Sequence, residues 1–134
     1  MSKHIIGLFT VLIFCGPLAA QADAVAQLES NYLGLGAKAF SAARGEALWN
    51  RVFVDAKSGK ERRCGSCHTD DLTKEGRHAR TRKLIKPMAR SVNPKRLTNV
   101  KKIEKWFKRN CKWTVGRECT PQEKGDLLAL LKSQ

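Results

Sequence analysis

The chain has 134 residues, a formal net charge of +14 and five cysteines. That length fits one domain and excludes a string of independent modules; so few cysteines exclude a disulfide-dense scaffold. The strong positive balance leaves an acidic protein, an anionic membrane surface or nucleic acid as the partner classes to weigh.

The N-terminus reads as a targeting segment. Met1 to His4 form a short cationic head, Ile5 to Cys15 an apolar run, and Gly16-Pro17 a break. Ala20-Gln21-Ala22 then has the small-x-small pattern of a signal peptidase site. The run is too short to cross a bilayer as a helix. Phe14 stands where lipoprotein processing at Cys15 would need a small residue. Residues 1–22 are therefore expected to be a signal peptide cleaved near Ala22, and residues 23–134 the mature domain, exported to a periplasm. Four cysteines remain in that domain, Cys64, Cys67, Cys111 and Cys119. An oxidising compartment commits such thiols to bonds.

Residues 24–35 have the pattern of a short amphipathic helix that ends at Gly34 and Gly36. Residues 41–53 read as a second, with Leu48, Trp49, Val52 and Phe53 as its apolar side. Gly59 and the charges around it mark a loop. From 69 to 98 periodicity is weak and prolines recur at 87 and 94, which predicts loop. On a helical wheel Val100, Ile103, Phe107, Asn110 and Cys111 fall within an arc of about 100°. Lys101, Lys102, Lys105, Lys108 and Arg109 occupy the other side. The last helix opens with Thr120 as cap, Pro121 at the first helical position and Glu123 completing a capping box. Leu127, Leu128, Leu130 and Leu131 supply its buried face. No stretch between these helices predicts a strand, so the fold class is mostly α with long loops.

The charge is uneven. Residues 57–109 hold 18 Lys or Arg against 5 Asp or Glu, so this half of the chain carries nearly all of the excess. Such a belt steers association with an acidic partner or an anionic surface. Nucleic acid is disfavoured, because export removes it and no aromatic interrupts the basic run between Arg62 and Lys105 for base stacking.

The chemistry is concentrated in Cys64-Gly65-Ser66-Cys67-His68. Cys-x-x-Cys-His is the attachment sequence of c-type haem. Two thiols three apart can add to the two vinyl groups on one porphyrin edge, and the next histidine reaches the iron from one face. A thioredoxin-like motif would need a strand–helix setting, which the sequence lacks. A zinc site would have to recruit further cysteines or histidines. A plain Cys64–Cys67 disulfide would leave His68 without a role.

If haem takes Cys64 and Cys67, Cys111 and Cys119 remain to pair. Closing that loop is worth roughly 2–3 kcal/mol on the chain-entropy estimate. Asn110 stands directly before it, on the apolar arc, where it reads either as a helix C-cap or as a group facing iron. Met88, twenty residues after His68, belongs to the residue type that usually supplies the sixth ligand in small cytochromes c. His78, among charged neighbours, is a third candidate.

Residues 103–134, IEKWFKRNCKWTVGRECTPQEKGDLLALLKSQ, resemble the C-terminal part of the SHP-type oxygen-binding monohaem cytochromes c. The likeness continues through GEALW (45–49), CGSCH (64–68) and PMARSVNPKRLTN (87–99). The resemblance implies a small class I-like cytochrome c fold around one covalent haem c. It implies His68 and Asn110 as the axial iron ligands of the oxidised state, and Cys111 and Cys119 as a disulfide. The related cytochrome c″ type has histidine at the Asn110 position. Arg90, where proline is expected, and Met88, where relatives tend to have leucine, depart from the pattern. The resemblance further implies binding of oxygen or nitric oxide, with nitric oxide dioxygenation or an oxidase-like activity as possible enzymatic extensions. Electrons would come from an acidic redox partner such as a dihaem cytochrome c, with a membrane cytochrome b upstream. A simple carrier with permanent His68–Met88 ligation is the alternative.

Overall fold

A computed structural model describes residues 23–134; the expected signal peptide lies outside the described residues. The order is α1 (Ala24–Gly34), α2 (Ala42–Asn50), β1 (Phe53–Val54), β2 (Glu61–Arg62), α3 (Gly65–His68), β3 (Gly76–Arg77), β4 (Leu84–Ile85), α4 (Val100–Thr114) and α5 (Pro121–Lys132). Both strand pairs are antiparallel hairpins, β1 with β2 and β3 with β4. Among the described residues no helix is long and apolar enough to cross a membrane.

The core is built from Val25, Leu28 and Tyr32 of α1, Trp49 of α2, Ile103 of α4 and the leucines of α5. Loop residues Leu72, Ala89 and Leu97 close it. Helix α5 is organised as its sequence dictates. Thr120 Oγ1 accepts from the Glu123 N–H at 3.2 Å, and the Glu123 carboxylate accepts from the Thr120 N–H at 2.8 Å. These bonds satisfy donors that a helix start leaves open. Gly125 and Gly45 permit close approach: a Cβ on Gly45 would sit 2.1 Å from the Asp126 carbonyl oxygen, and one on Gly125 2.1 Å from the Phe40 ring.

Two polar nodes fix the helices. Asp126, buried on α5, accepts from the Ser41 N–H at 2.8 Å and from Arg44 Nε at 2.9 Å and Nη2 at 2.8 Å, tying α5 to the start of α2. The Tyr32 hydroxyl donates to Glu104, which also receives Lys124 Nζ at 2.7 Å, joining α1, α4 and α5.

Two helices differ from the sequence reading. Helix α2 stops at Asn50, because Arg51 turns extended and the strand-forming Phe53-Val54 that follows pairs with residues 61 and 62. Val52 is then exposed and Phe53 belongs to a strand. Helix α4 continues through the first bridge cysteine to Thr114, with Val115 as its C-cap. Asn110 is therefore inside the helix and is not its cap. Between 69 and 98 the expected loop holds, interrupted by the β3–β4 hairpin.

Candidate haem site

The Cys64–His68 segment forms the single turn α3. Its exit is held by Trp49, whose Nε1 donates to the Thr69 carbonyl at 3.2 Å. Thr69 has φ +65° with ψ 171°, a backbone region that side-chain-bearing residues rarely adopt, which ends the turn sharply. The Trp49 indole lies 5.6 Å from the His68 ring, centroid to centroid. From the other side β3 presses directly on the turn. A Cβ on Gly76 would lie 2.0 Å from the Cys67 carbonyl oxygen and 2.9 Å from His68 Cα, so only glycine fits there.

Cys64 and Cys67 are free thiols, both half-buried. Burial pushes the Cys64 thiol up to about 11. Burial also lowers His68 to about 4, helped by the Arg96 cation, so the imidazole is neutral and its ring nitrogen free to bind a metal. His68 Nδ1 is buried without a hydrogen-bond partner among the described residues. A fold leaves such a group unpaired at a cost of about 1–3 kcal/mol unless something else engages the ring. Two uncommitted thiols three residues apart, followed by a neutral, internally unpartnered imidazole, fit a covalently attached haem. The zinc alternative has no ligand set: among the described residues no three His, Cys, Asp or Glu side chains converge.

Cys111 and Cys119 are joined, with S–S 2.02 Å, both buried. The bridge runs from the last turn of α4 to the residue before the cap of α5. Trp106, Asn110 and Trp113 make an i, i+4, i+7 row on one edge of α4, and all three are exposed. The buried side is turned slightly away, through Ile103, Cys111 and Thr114. The Asn110 amide makes no hydrogen bond among the described residues, and none ties it to the α3 turn. Met88 is half-buried against the core cluster that also receives Cys64, and its N–H donates to the Leu72 carbonyl at 3.0 Å. His78 is exposed, and its Nδ1 accepts from the Arg80 and Thr81 N–H groups, a role internal to the hairpin tip.

Residues that sequence reading missed are Gly76, Arg96 and Arg62. Arg96 is half-buried, donating from Nε to the Pro87 carbonyl at 2.9 Å and from Nη2 to the Lys86 carbonyl at 2.6 Å. Arg62 is stacked on Trp113. None has a motif; each acts through a contact distant in sequence.

Residues 35–131 match a family model described as a domain of unknown function, DUF1924. The cytochrome c-type protein SHP of Cereibacter sphaeroides is 39% identical over 122 residues, which is 91% of this chain and 93% of that protein. Cytochrome c″ of Methylophilus methylotrophus is 39% identical over 90 residues, 67% of this chain and 62% of that one. The solved structure of oxidised SHP, an oxygen-binding cytochrome c, superposes with TM-score 0.74 at 38% identity, covering 84% of this chain and 98% of that one. Oxidised cytochrome c″ from Methylophilus methylotrophus gives 0.73 at 33%, covering 83% and 94%. The chain thus belongs to the DUF1924 family of SHP-type cytochromes c, mostly helical proteins built around covalently bound haem c.

Proposed function

We propose that this protein is an exported, periplasmic cytochrome c that receives electrons and binds a diatomic gas, oxygen or nitric oxide, at a distal position opened on reduction. Cys64 and Cys67 would hold the haem through thioether bonds, and His68 would be the proximal ligand. The bound haem supplies an iron that changes oxidation state and can take a gas molecule at a free position. Asn110 supplies a neutral, hard amide oxygen, which suits ferric iron and is a poor ligand for the softer ferrous state. Against reduced iron Asn110 would be a poor ligand, and its amide would be available to hydrogen-bond a gas molecule. The Cys111–Cys119 bridge limits how far the last turn of α4 can move.

The observation that carries this reading is the state of Asn110. Its amide is exposed, has no hydrogen bond within the described residues, lies between two exposed indoles, and is followed directly by a bridged cysteine. The 39% identity to an SHP protein, and the likeness to a solved SHP whose description is oxygen-binding, support the gas ligand.

The competing reading, a simple carrier with permanent His68–Met88 ligation, draws on Met88 sitting against the same cluster as Cys64. Optical spectra of oxidised and reduced holoprotein, with and without carbon monoxide, separate the two. The gas-binding reading expects a reduced form that shifts on adding carbon monoxide. It also expects Asn110→Leu to turn the ferric protein into an open or aquo form, with Met88→Leu spectrally silent. A reduced protein that stays six-coordinate, low-spin and unresponsive to carbon monoxide would leave only the carrier.

A further inference from the structure

The β3–β4 hairpin is a strongly cationic feature that the haem site does not use, matched in charge by the basic face of α4. Lys74, Arg77, Arg80, Arg82, Lys83 and Lys86 are all exposed, and Glu75 is the only acid between them. Among the described residues none of the six is ion-paired, which is also true of Lys101, Lys102, Lys105 and Arg109 on α4, whereas Arg62, Arg63, Arg90, Lys112 and Arg117 are paired. The hairpin is also fastened to the Cys-x-x-Cys-His turn. Gly76 packs on the Cys67 carbonyl and the His68 Cα, and the Ala79 N–H donates to Cys67 Sγ at 3.3 Å. Its tip is stiffened by His78, and Arg82 is held at φ +58°. Leu84, 51% exposed, faces Arg77 across the ladder, so one exposed apolar side chain lies beside a cation on the hairpin.

The geometry points to this hairpin as the docking surface for an acidic electron-donor protein, which sets the donor against the Cys67 side of the haem attachment. The inference rests on the reading that the chain receives electrons. Charge complementarity selects the occupant: unpaired cations in a fixed hairpin attract an acidic face and orient it before contact. An exposed apolar side chain beside a cation suits the brief, small interfaces of redox partners. Residues 74–86 contain no aromatic for stacking on bases or anchoring in a membrane interface, which disfavours both other anionic partners.

The test uses holoprotein and a reduced flavodoxin as the acidic probe, with second-order reduction rates followed at low and high salt. Arg80→Glu with Lys83→Glu at the hairpin is compared with Lys101→Glu with Lys102→Glu on α4, an equal change of net charge. The hairpin pair should slow reduction about ten-fold or more at low salt and flatten the salt dependence, with little effect from the helix pair. Amide shifts on titrating ferric holoprotein with oxidised flavodoxin should cluster on residues 76–85. Arg80→Gln with Lys83→Gln gives a milder variant, and reduction by neutral deazaflavin radical checks that each protein is intact. Equal slowing by both pairs would reduce the effect to net charge and overturn the proposal. So would wild-type protein that deazaflavin reduces and flavodoxin does not, or a hairpin pair that loses only binding to phosphatidylglycerol vesicles. Carbon monoxide binding reads the gas site separately. If it fails while hairpin dependence persists, the gas reading falls and the docking surface stands; the reverse result removes the docking surface alone.

Discussion

The Arg62 guanidinium carbon lies 4.6 Å from the centroid of the Trp113 ring, and Arg62 Nη1 donates to the Trp113 carbonyl at 2.6 Å. Its Nη2 reaches Asp55 at 3.0 Å, so one side chain joins the β1–β2 turn to the last turn of α4. Arg62 is two residues ahead of Cys64, and Trp113 three residues beyond Asn110. The stack therefore couples the thiol turn to the helix that carries the candidate distal ligand.

Arg62→Lys keeps the charge but loses the planar fork and the stack. It should cost about 1–2 kcal/mol in denaturant unfolding of the holoprotein, and Arg62→Ala more. A double-mutant cycle with Trp113→Leu should give a coupling of about 0.5–1 kcal/mol. Strictly additive losses would show that the two residues act independently.

Gly76→Ala should impair haem attachment. The Gly76 backbone is outside the left-handed region, so the restriction is space alone: the new methyl would meet the Cys67 carbonyl at 2.0 Å. Either the hairpin or the α3 turn must move, at about 1–3 kcal/mol. The measurement is the haem-to-protein ratio of purified material, with Gly59→Asn as a control at a position with open space and φ +66°. Normal haem content in Gly76→Ala would mean that the turn tolerates displacement.

What was legible in the sequence was local. The α5 capping box, the Cys-x-x-Cys-His spacing and the two lone cysteines each lie within a dozen residues, and their chemistry needs no knowledge of the rest. Helix ends were less legible. The periodicity of α2 runs on into Val52 and Phe53, but a strand pair with Glu61 and Arg62 wins over the helical pattern there. Asn110 shows the limit of a wheel: it gives angles, but the neighbouring helices decide which angles are covered. Here they cover the side of Ile103, Cys111 and Thr114 and leave Asn110 with the two exposed indoles. Asp126 did leave a signal, a carboxylate directly before the leucine run of α5, and its partners at Ser41 and Arg44 could come only from the fold.

Removing the bridge as Cys111→Ser with Cys119→Ser should lower stability by roughly 2–3 kcal/mol, since the closed loop is short. If the bridge also restrains Asn110, the ferric spectrum of the double variant should contain a fraction of open or aquo form that wild type lacks. Thiol reductant added to wild-type holoprotein should reproduce both effects. Loss of stability with an unchanged ferric spectrum would confine the bridge to stapling α4 to the α5 cap.

Asp126 should set part of the acid limit of the fold. Burial alone would push its carboxyl up, but hydrogen bonds from Arg44, the Ser41 N–H and Gln122, with the Arg44 charge, hold it below the ordinary 3.8. A carboxylate depressed in the folded state adds stability above its unfolded value, and that stability is lost as pH falls through the folded value. Wild-type holoprotein should therefore weaken through the acid range. Asp126→Asn should be less stable at neutrality, show a shallower acid slope, and converge on wild type once Asp126 is protonated in the folded and unfolded chain alike. Asp70, Asp71 and Glu118 are also held low, by hydrogen bonds and neighbouring cations, but they lie at the surface, where salt screens the charge contribution. Repeating the denaturant midpoints in high salt should thin out their share and leave the Asp126 difference. Parallel wild-type and Asp126→Asn curves across the acid range would show that the carboxylate is equally ionised in folded and unfolded chains, contrary to its bonded position.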